Sequence, residues 1–380
     1  MKRLILAGGG HAHLHVLKSL AAAPWPGVEV TLISPYRRQI YSGMLPGWMA
    51  SHYRLEQCAA ALEPLAKAAG VRFVQDSVIG VDADRRIVHT ALSGTIPYDA
   101  LSLDTGAQVD SACLAAAGTR LLPLRPLEDF VVGWTHQLDV FKQQGHANLA
   151  VVGGGAAGVE LALAARYRLA LELGDTNTRV TLVAGSGLLP GHGPRIVARA
   201  AQALTLCQIT VVHGYAAGDS SGLRMDDGAT LPADCVIAAT GVRPAAWLAQ
   251  TGLAMAADGF IAVGDRQQSI SHPEVFAAGD VASRIDAPHA KSGVYAVRAG
   301  PVLTTNLQRV LTGQLPLPYQ PQARSLYLLA TGPKEAILSW GQLSASGHWV
   351  WCWKDWIDRR FMRKYDINPA APSGENHEPA

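Results

Sequence analysis

Two glycine-rich loops, each lying between a short apolar run and a segment able to form a helix, constrain the fold of this 380-residue chain most strongly. The first loop, residues 8–10, follows the apolar run at residues 3–7, and the second, residues 153–158, follows the run at residues 149–152. A strand that turns through glycines into a helix points backbone amides at a pyrophosphate. Both loops therefore predict dinucleotide binding, and together they predict an α/β fold built on parallel sheets.

The first loop departs from the GxGxxG pattern at its third position, where His13 stands instead of glycine. Gly8 permits the turn, and Gly10 lets the backbone approach a pyrophosphate. The next predicted strand ends in Ser34, where an acidic residue normally binds the ribose, so the Ser34 hydroxyl is the predicted ribose contact. The residues predicted to hold the first dinucleotide at this loop are Gly8, Gly10, His11, Ala12 and Ser34.

The second loop carries the complete pattern in Gly153, Gly155 and Gly158, and an alanine- and leucine-rich helical segment follows it. We predict that these glycines and Ala156 contact a nicotinamide dinucleotide. The next predicted strand ends at residues 184–185, with neither a carboxylate for a 2'-hydroxyl nor an arginine for a 2'-phosphate. The choice between NADH and NADPH therefore stays open, and so does a site that binds neither.

The chain also repeats itself beyond each loop. Residues 82–107 parallel residues 220–244, since each segment predicts a hairpin and then a Pro-x-Asp step into an apolar strand that stops at Thr-Gly. A glycine at the end of such a strand lets backbone pass close to a dinucleotide, which predicts contacts at Thr105, Gly106 and Gly241. Two copies of one plan imply two dinucleotides, and a duplicated scaffold with one inactive site is the alternative.

Composition excludes several classes of protein. The net charge of +2 gives no reason to expect a nucleic acid partner, and five scattered cysteines without a CxxC pair argue against a disulfide framework or a zinc site. Among three clustered histidines only His11 and His15 share a helix face, so we predict no metal site. Neither a signal peptide nor an apolar run of about 18 residues is recognisable. We therefore expect a cytoplasmic protein.

Residues 276–282 resemble the second FAD fingerprint of the pyridine nucleotide-disulfide oxidoreductase superfamily, and the sequences AGGGHAH, VVGGGAAGVE and ATGVRP precede it in the family order. The resemblance spans residues 1 to about 311. It implies that Asp280, together with Gly279, binds the ribityl chain of FAD. It also implies that an NAD(P) module interrupts the FAD-binding domain.

The predicted fold class is therefore α/β, with two nested Rossmann-like dinucleotide-binding domains and a small C-terminal α+β unit. The expected boundaries are 1–112 and 256–318 for the FAD-binding domain, 113–255 for the NAD(P)-binding domain, 319–368 for the C-terminal unit and 369–380 for a disordered tail.

Within the superfamily, the chain is similar to type II NADH dehydrogenases and to the flavoprotein domain fused to selenophosphate synthetase. The redox cysteine pair of the disulfide-reducing branch is missing from residues 39–47, which excludes disulfide reduction through such a pair. The resemblance implies that Pro46 borders the flavin ring, and we place Val78 among the cofactor contacts. It also implies that Glu160 lies near nicotinamide and flavin, although the helix dipole alone favours a glutamate there.

Lys291 and Ser292 lie in a segment predicted to form a helix whose N-terminus points at the flavin. Type II NADH dehydrogenases carry an Ala-Gln pair beside the quinone at this position, where the present chain has Ala290-Lys291. We predict that Lys291 stabilises a negatively charged flavin, and a solvated lysine is the alternative. The departure leaves the acceptor open between a quinone and another small oxidant.

Residues 349–365 are rich in tryptophan, lysine and arginine. On a helix, Trp349, Trp353 and Trp356 share one face, close to Arg360. This pattern suits peripheral contact with the inner face of a membrane, and it equally suits packing against another domain.

These observations predict a FAD-dependent NAD(P)H oxidoreductase in which Glu160 and Lys291 are catalytic. Hydride passes from nicotinamide to flavin and on to a quinone or another small acceptor. One alternative is a sulfide- or selenium-linked flavoenzyme, which the likeness to the fused domain and Lys291 support. An enzyme of the sulfide:quinone oxidoreductase kind would also need Cys352 and a second cysteine at the flavin. The other is a flavin-binding scaffold without NAD(P)H activity, and the oligomeric state is left open.

Overall fold

A computed structural model describes residues 1–341 and 343–366. Its strands and α-helices fall into three stretches of the chain. The first contains β1 (Lys2–Ala7), α1 (His11–Ala22), β2 (Val28–Ser34), β3 (Arg38–Ile40), α2 (Leu45–Met49), β4 (Ala59–Ala61), α3 (Leu62–Ala68), β5 (Arg72–Gln75), β6 (Val78–Asp82), β7 (Ile87–Thr90), β8 (Thr95–Pro97), β9 (Ala100–Leu103) and β10 (Gln108–Val109). The second contains β11 (Leu121–Pro123), α4 (Leu127–Gln144), β12 (Ala147–Val152), α5 (Ala156–Leu173), β13 (Thr178–Ala184), α6 (Pro194–Leu206), β14 (Thr210–His213), β15 (Ala216–Asp219), β16 (Gly222–Met225), β17 (Thr230–Pro232), β18 (Cys235–Ala238) and β19 (Val242–Arg243). The third contains β20 (Ile261–Val263), β21 (Val275–Ala277), β22 (Ala282–Arg284), α7 (Gly293–Leu311), β23 (Leu326–Ala330), β24 (Ala336–Trp340), β25 (Leu343–Gly347) and α8 (His348–Arg363).

Each glycine loop belongs to its own five-stranded parallel sheet. The first sheet has the order β21-β9-β1-β2-β5, and the second has the order β11-β18-β12-β13-β14. In the first sheet β1, the strand before the glycine loop, lies between β2 and β9, and in the second sheet β12 lies between β13 and β18 in the same way. Leu4 of β1, for example, pairs with Val30 of β2 and with Ala100 of β9. A three-stranded antiparallel sheet accompanies each, β6-β7-β8 in the first copy and β15-β16-β17 in the second. The predicted repeat is confirmed.

The two units are nested. Strands β9 and β21 are neighbours in the first sheet, with Leu101 paired to Val275, although the whole second sheet lies between them in the chain. The prediction of two nested Rossmann-like domains is therefore confirmed, while the residues at which one domain passes into the other remain predictions.

The apolar runs that precede the glycine loops form the centres of these sheets. In β9 and β18 all four residues are buried, and in β1 the last four are. Strands covered by helices on both faces lack the alternation of half-buried strands, which is why they read as continuous apolar runs. In the first unit α1 packs against α7, and in the second α5 packs against β12 and β13.

The C-terminal unit is an antiparallel sheet, β23-β24-β25, with α8 packed against it. The buried residues of α8 are Val350, Lys354, Asp358 and Phe361. The tryptophan face points elsewhere, since Trp349, Trp353 and Trp356 are 57%, 39% and 51% exposed. Within the described residues no element covers this aromatic face, because the helix turns a partly charged face inward.

Within residues 1–341 and 343–366, no helix combines the length and the apolar character needed to cross a membrane. All five cysteines are free. The tail predicted at residues 369–380 lies outside the described residues.

Candidate active site

A cavity of about 1160 Å³ lies at the carboxyl ends of the first sheet's strands and reaches the start of α5. Its walls include parts of both glycine loops, of residues 33–46, of residues 104–108 and of α8. Pockets for small molecules usually measure roughly 300–1,000 Å³, so this cavity is large enough for a dinucleotide.

The first glycine loop borders this cavity and approaches the end of β9 closely. Gly8 has a φ of +94°, and a Cβ built on it would lie 2.4 Å from the carbonyl oxygen of Asp104. A Cβ on Gly10 would lie 2.3 Å from the Asp104 carboxyl group. Glycine is therefore required at both positions, at Gly10 because a side chain fills the space beside it.

His13 occupies the place of the third glycine. Its Nδ1 lies 2.6 Å from the Gly8 carbonyl oxygen, and its Nε2 lies 2.8 Å from the Ser102 Oγ. Burial lowers the pKa of His13 to about 4, so the ring is neutral at pH 7. The contact between helix and sheet that a glycine normally permits is here made by a hydrogen-bonded imidazole.

Asp104 was not predicted as a site residue. Its Oδ2 accepts hydrogen bonds from the backbone N–H groups of Ala12, at 2.8 Å, and His13, at 3.1 Å, at the start of α1. Burial raises the pKa of Asp104 to about 7. The sequence held only a weak signal for this contact, a carboxylate directly before Thr105-Gly106.

Asp280, which the fingerprint resemblance assigns to the ribityl chain, borders the cavity from the turn after β21. Its Oδ2 accepts a hydrogen bond from the Arg125 guanidinium. Arg125 lies between β11 and α4, in a segment that no sequence pattern marked. The carboxylate is therefore buried with a cationic partner supplied from the chain that enters the second unit.

Most of the other predicted site residues share this cavity. Those that border it are Gly8, Gly10, His11, Ser34, Pro46, Val78, Thr105, Gly106, Gly155, Ala156, Glu160, Asp280, Lys291 and Ser292. The predicted residues that do not border it are Ala12, Gly153, Gly158, Gly241 and Gly279. The Ser34 hydroxyl donates a hydrogen bond to the carbonyl oxygen of Tyr36, 3.0 Å away. The cofactor contacts of all these predicted residues remain predictions.

The second glycine loop has the close packing that its sequence predicts. Gly153 has a φ of +132°, and a Cβ on Gly158 would lie only 1.8 Å from the Gly153 carbonyl oxygen. Around Gly155, by contrast, a Cβ would meet nothing within 4 Å. The amide end of α5 is therefore open toward the cavity.

Glu160, in the first turns of α5, belongs to a buried polar network that includes α8. Its Oε1 accepts a hydrogen bond from the Ala330 N–H at 2.8 Å, and burial raises the pKa of Glu160 to about 7. Lys354 donates to the Gly43 carbonyl oxygen at 2.6 Å and to Asp358 Oδ2 at 2.8 Å. Burial opposes the charge of Lys354, but the carboxylates of Asp358 and Glu160 together raise its pKa.

Lys291 borders the cavity, but its ammonium group is engaged elsewhere. Nζ donates to the Ala282 carbonyl oxygen and to the Ser283 hydroxyl, at 2.5 and 2.7 Å, and lies 3.9 Å from the centre of the Phe260 ring. Helix α7 begins at Gly293, so Lys291 precedes it. The Lys291 side chain is therefore held by contacts within the chain. Its action on a flavin remains a prediction.

The cysteines and the metal-binding residue types are not gathered at the cavity in the part of the chain that the structure covers. No cysteine is among the described residues that border the cavity, and the exposed Cys352 lies on α8 with its Sγ 3.3 Å from His348 Nε2. The described residues also contain no group of three His, Cys, Asp or Glu side chains placed to hold a metal ion.

Comparisons with known proteins agree with this architecture. The family described as pyridine nucleotide-disulphide oxidoreductase matches residues 2–300. A probable ferredoxin reductase of Castellaniella defragrans is 27% identical over 305 residues, which cover 74% of this chain and 68% of that protein. The demethylphylloquinone reductase NdbB of Synechocystis is 24% identical over 376 residues, which cover 91% of this chain and 88% of that protein. Among solved structures, NDH2 from Plasmodium falciparum, determined in complex with NADH, shares the fold with a TM-score of 0.81 at 14% identity, over 96% of this chain and 97% of that one.

Proposed function

Because the chain belongs to the pyridine nucleotide-disulphide oxidoreductase family, we propose that it is a FAD-dependent oxidoreductase that oxidises NADH or NADPH. The electrons pass to a quinone or another small acceptor. One observation carries this proposal: a single cavity joins the amide ends of α1 and α5, the two helices that follow the glycine loops. We assign residues 1–112 and 256–318 to FAD and residues 113–255 to the nicotinamide nucleotide.

The first unit fits a flavin dinucleotide. Gly8 and Gly10 border the cavity at the start of α1, where a pyrophosphate would meet backbone amides and the positive end of the helix dipole. His11 borders the cavity with an Nε2 that is buried and has no partner among the described residues, so a ligand can supply one. Asp280 would hold the ribityl chain. When bound, FAD supplies a ring that takes a hydride and releases electrons one or two at a time.

The second unit fits the nicotinamide nucleotide. Gly155 and Ala156 expose the amide end of α5 to the cavity. His192 and Tyr327, which border the same cavity, meet edge to face with ring centres 4.8 Å apart. These two rings would position the nicotinamide against the flavin ring. Most of the rate enhancement in hydride transfer comes from this positioning.

Glu160 is the proposed proton-transfer group. A carboxyl whose pKa is about 7 exchanges its proton readily at neutral pH, and burial in the cavity wall gives Glu160 that property. The Ala330 N–H holds one carboxyl oxygen in place. Lys354, a residue of α8 that donates a hydrogen bond to the Gly43 carbonyl oxygen, places a positive charge close enough to act on Glu160.

The acceptor we propose is a quinone that reaches the cavity from a membrane surface. The demethylphylloquinone reductase NdbB is similar to this chain along most of its length. Residues of α8 border the cavity, Trp356 and Phe361 among them, and the exposed faces of Trp349 and Trp353 continue this apolar surface along the helix. Tryptophans beside Arg360 and Arg363 suit the interface of a membrane with anionic lipids.

Exchanging Trp349 and Trp353 for serine together should weaken binding to vesicles of phosphatidylcholine and phosphatidylglycerol by about tenfold or more, because two indole rings no longer enter the interface. Co-sedimentation measures the bound fraction. Leu92→Ser is the matched control, since Leu92 is 86% exposed and lies far from α8 in the chain. Equal binding of the double variant and the control would contradict the membrane contact.

Cofactor content and turnover test the proposed function. The purified protein should release FAD on heating, close to one per chain, and should oxidise NADH or NADPH with a short-chain benzoquinone as acceptor. A protein that releases FAD but oxidises neither nucleotide would contradict the proposal.

A further inference from the structure

The internal repeat allows the two glycine loops to be compared position by position. A Cβ on Gly8 would approach the carbonyl oxygen of Asp104, and a Cβ on Gly153 would approach the carbonyl oxygen of Ala239, so Asp104 and Ala239 are equivalent. Both come directly before a Thr-Gly pair. The first loop therefore has a carboxylate where the second has a methyl group.

This carboxylate lies at the amide end of α1. Asp104 Oδ2 accepts hydrogen bonds from Ala12 and His13, and the carboxyl group fills the space beside Gly10, whereas the space beside the equivalent Gly155 is open. A Cβ on Gly279 would lie 2.7 Å from Asp104 Oδ1. Asp104 is only 4% exposed, and it borders the cavity.

No cation among the described residues compensates this carboxylate. The charged group that acts on it, Asp280, is itself acidic, and the guanidinium of Arg125 is bonded to Asp280. On α1, burial lowers the pKa of both His11 and His13 to about 4, so neither imidazole is charged at pH 7. The negative charge of Asp104 therefore depends on the two backbone amides at the helix start.

Resting on the proposed function, we infer that Asp104 takes up a proton when FAD binds to the first glycine loop. A pyrophosphate brings two negative charges to the helix end at which the Asp104 carboxylate already accepts hydrogen bonds. One solvent proton added to that carboxylate removes the repulsion, and the resulting carboxyl group keeps an oxygen that can accept from the same amides. The second unit, with Ala239 at this position, needs no such step.

The sign of the pH dependence follows from this uptake. Burial already raises the pKa of Asp104 to about 7, and a nearby pyrophosphate would raise it further. Below that pH the proton is present before FAD binds, and above it each binding event must draw a proton from solvent. FAD affinity should therefore fall as pH rises above about 7, approaching tenfold per pH unit for one proton.

Release of flavin from the diluted holoprotein, followed by flavin fluorescence between pH 6 and pH 9, tests the inference. We expect the dissociation constant to rise toward tenfold per unit in the alkaline half of this range. Asp104→Asn keeps an oxygen for the two amides but cannot ionise, so its dissociation constant should stay level across the range. Asp84→Asn is the matched control, because the Asp84 side chain is 89% exposed, and it should behave as the unchanged protein does.

A wild-type dissociation constant that does not change with pH would overturn the inference, and so would an Asp104→Asn protein with the wild-type slope. If this variant fails to fold, the heat of FAD binding to the flavin-depleted wild-type chain, measured in two buffers of different ionisation enthalpy, counts the protons directly. We expect uptake of one proton per FAD above pH 8. Uptake of none would overturn the inference. A protein that binds FAD without proton uptake leaves the proposed function intact, whereas a protein that binds no FAD contradicts both.

Discussion

Replacing Gly158 by alanine should slow the reduction of the bound flavin by NADH or NADPH by about a hundredfold or more, while the protein keeps its FAD. The added Cβ would lie 1.8 Å from the Gly153 carbonyl oxygen, so the second glycine loop and the start of α5 must move apart. A displacement of this size at a residue that positions a substrate costs about two orders of magnitude in rate. Rapid mixing without oxygen, followed in the visible absorbance of the flavin, measures the step.

The control for this change is Gly193→Ala. Gly193 precedes α6 in the same unit and has a φ of −68°, and a Cβ at this position would meet nothing within 4 Å. This variant should reduce at the wild-type rate. A Gly158→Ala protein that is reduced as fast as wild type would show that the second loop does not position the nicotinamide.

Glu160→Gln should lower turnover with a quinone by about a hundredfold, the scale of a lost proton-transfer group. Glutamine retains an oxygen that can accept from the Ala330 N–H, so the change removes the titration and keeps the local hydrogen bond. With the pKa of Glu160 raised to about 7, the proton-donating form prevails below that pH and disappears above it. Wild-type turnover should therefore fall as pH rises through 7, and this decline should be missing from the variant.

Glu172→Gln is the matched control, because Glu172 lies on the same helix and its carboxylate faces Lys142 and Arg168 rather than the cavity. Turnover and its pH profile should be unchanged in this protein. An identical loss in both variants would indicate damage to α5, and wild-type turnover in Glu160→Gln would remove Glu160 from the mechanism.

The architecture was predictable because its signals are local or repeated. An apolar run, a glycine turn and a helix start lie within about fifteen residues of one another, and parallel sheets covered on both faces require such runs. The repeated Thr-Gly strand ends predicted that both units follow one plan, which β9 and β18 confirm by lying beside β1 and β12. Asp280 was predicted from its resemblance to a family fingerprint.

The network around Glu160 was not predictable, because its partners are distant in the chain. Lys354 on α8 reaches the Gly43 carbonyl oxygen 311 residues away, and no periodicity indicates such a contact. The tryptophans dominate the sequence pattern of α8, and nothing in that pattern places a charged residue of the helix in the interior. In the structure the opposite holds, since Lys354 and Asp358 neutralise each other in a buried pair.

Asp104 and Arg125 were missed for related reasons. Asp104 precedes a recognised Thr-Gly pair, but its hydrogen-bond partners lie at the start of α1, 92 residues earlier in the chain. Arg125 lies in a connection without periodicity, and only the fold brings it to Asp280. His13 is intermediate, because its sequence position showed that the third glycine was replaced but not that Ser102 would bind the ring.

Titration of the purified yellow protein with NADH and with NADPH in the absence of oxygen tests the central claim most directly. We predict that one of the two nucleotides bleaches the flavin fully at about one equivalent, and that a quinone added afterwards restores the colour. A flavin that neither nucleotide reduces, in a protein that retains FAD, would contradict the account.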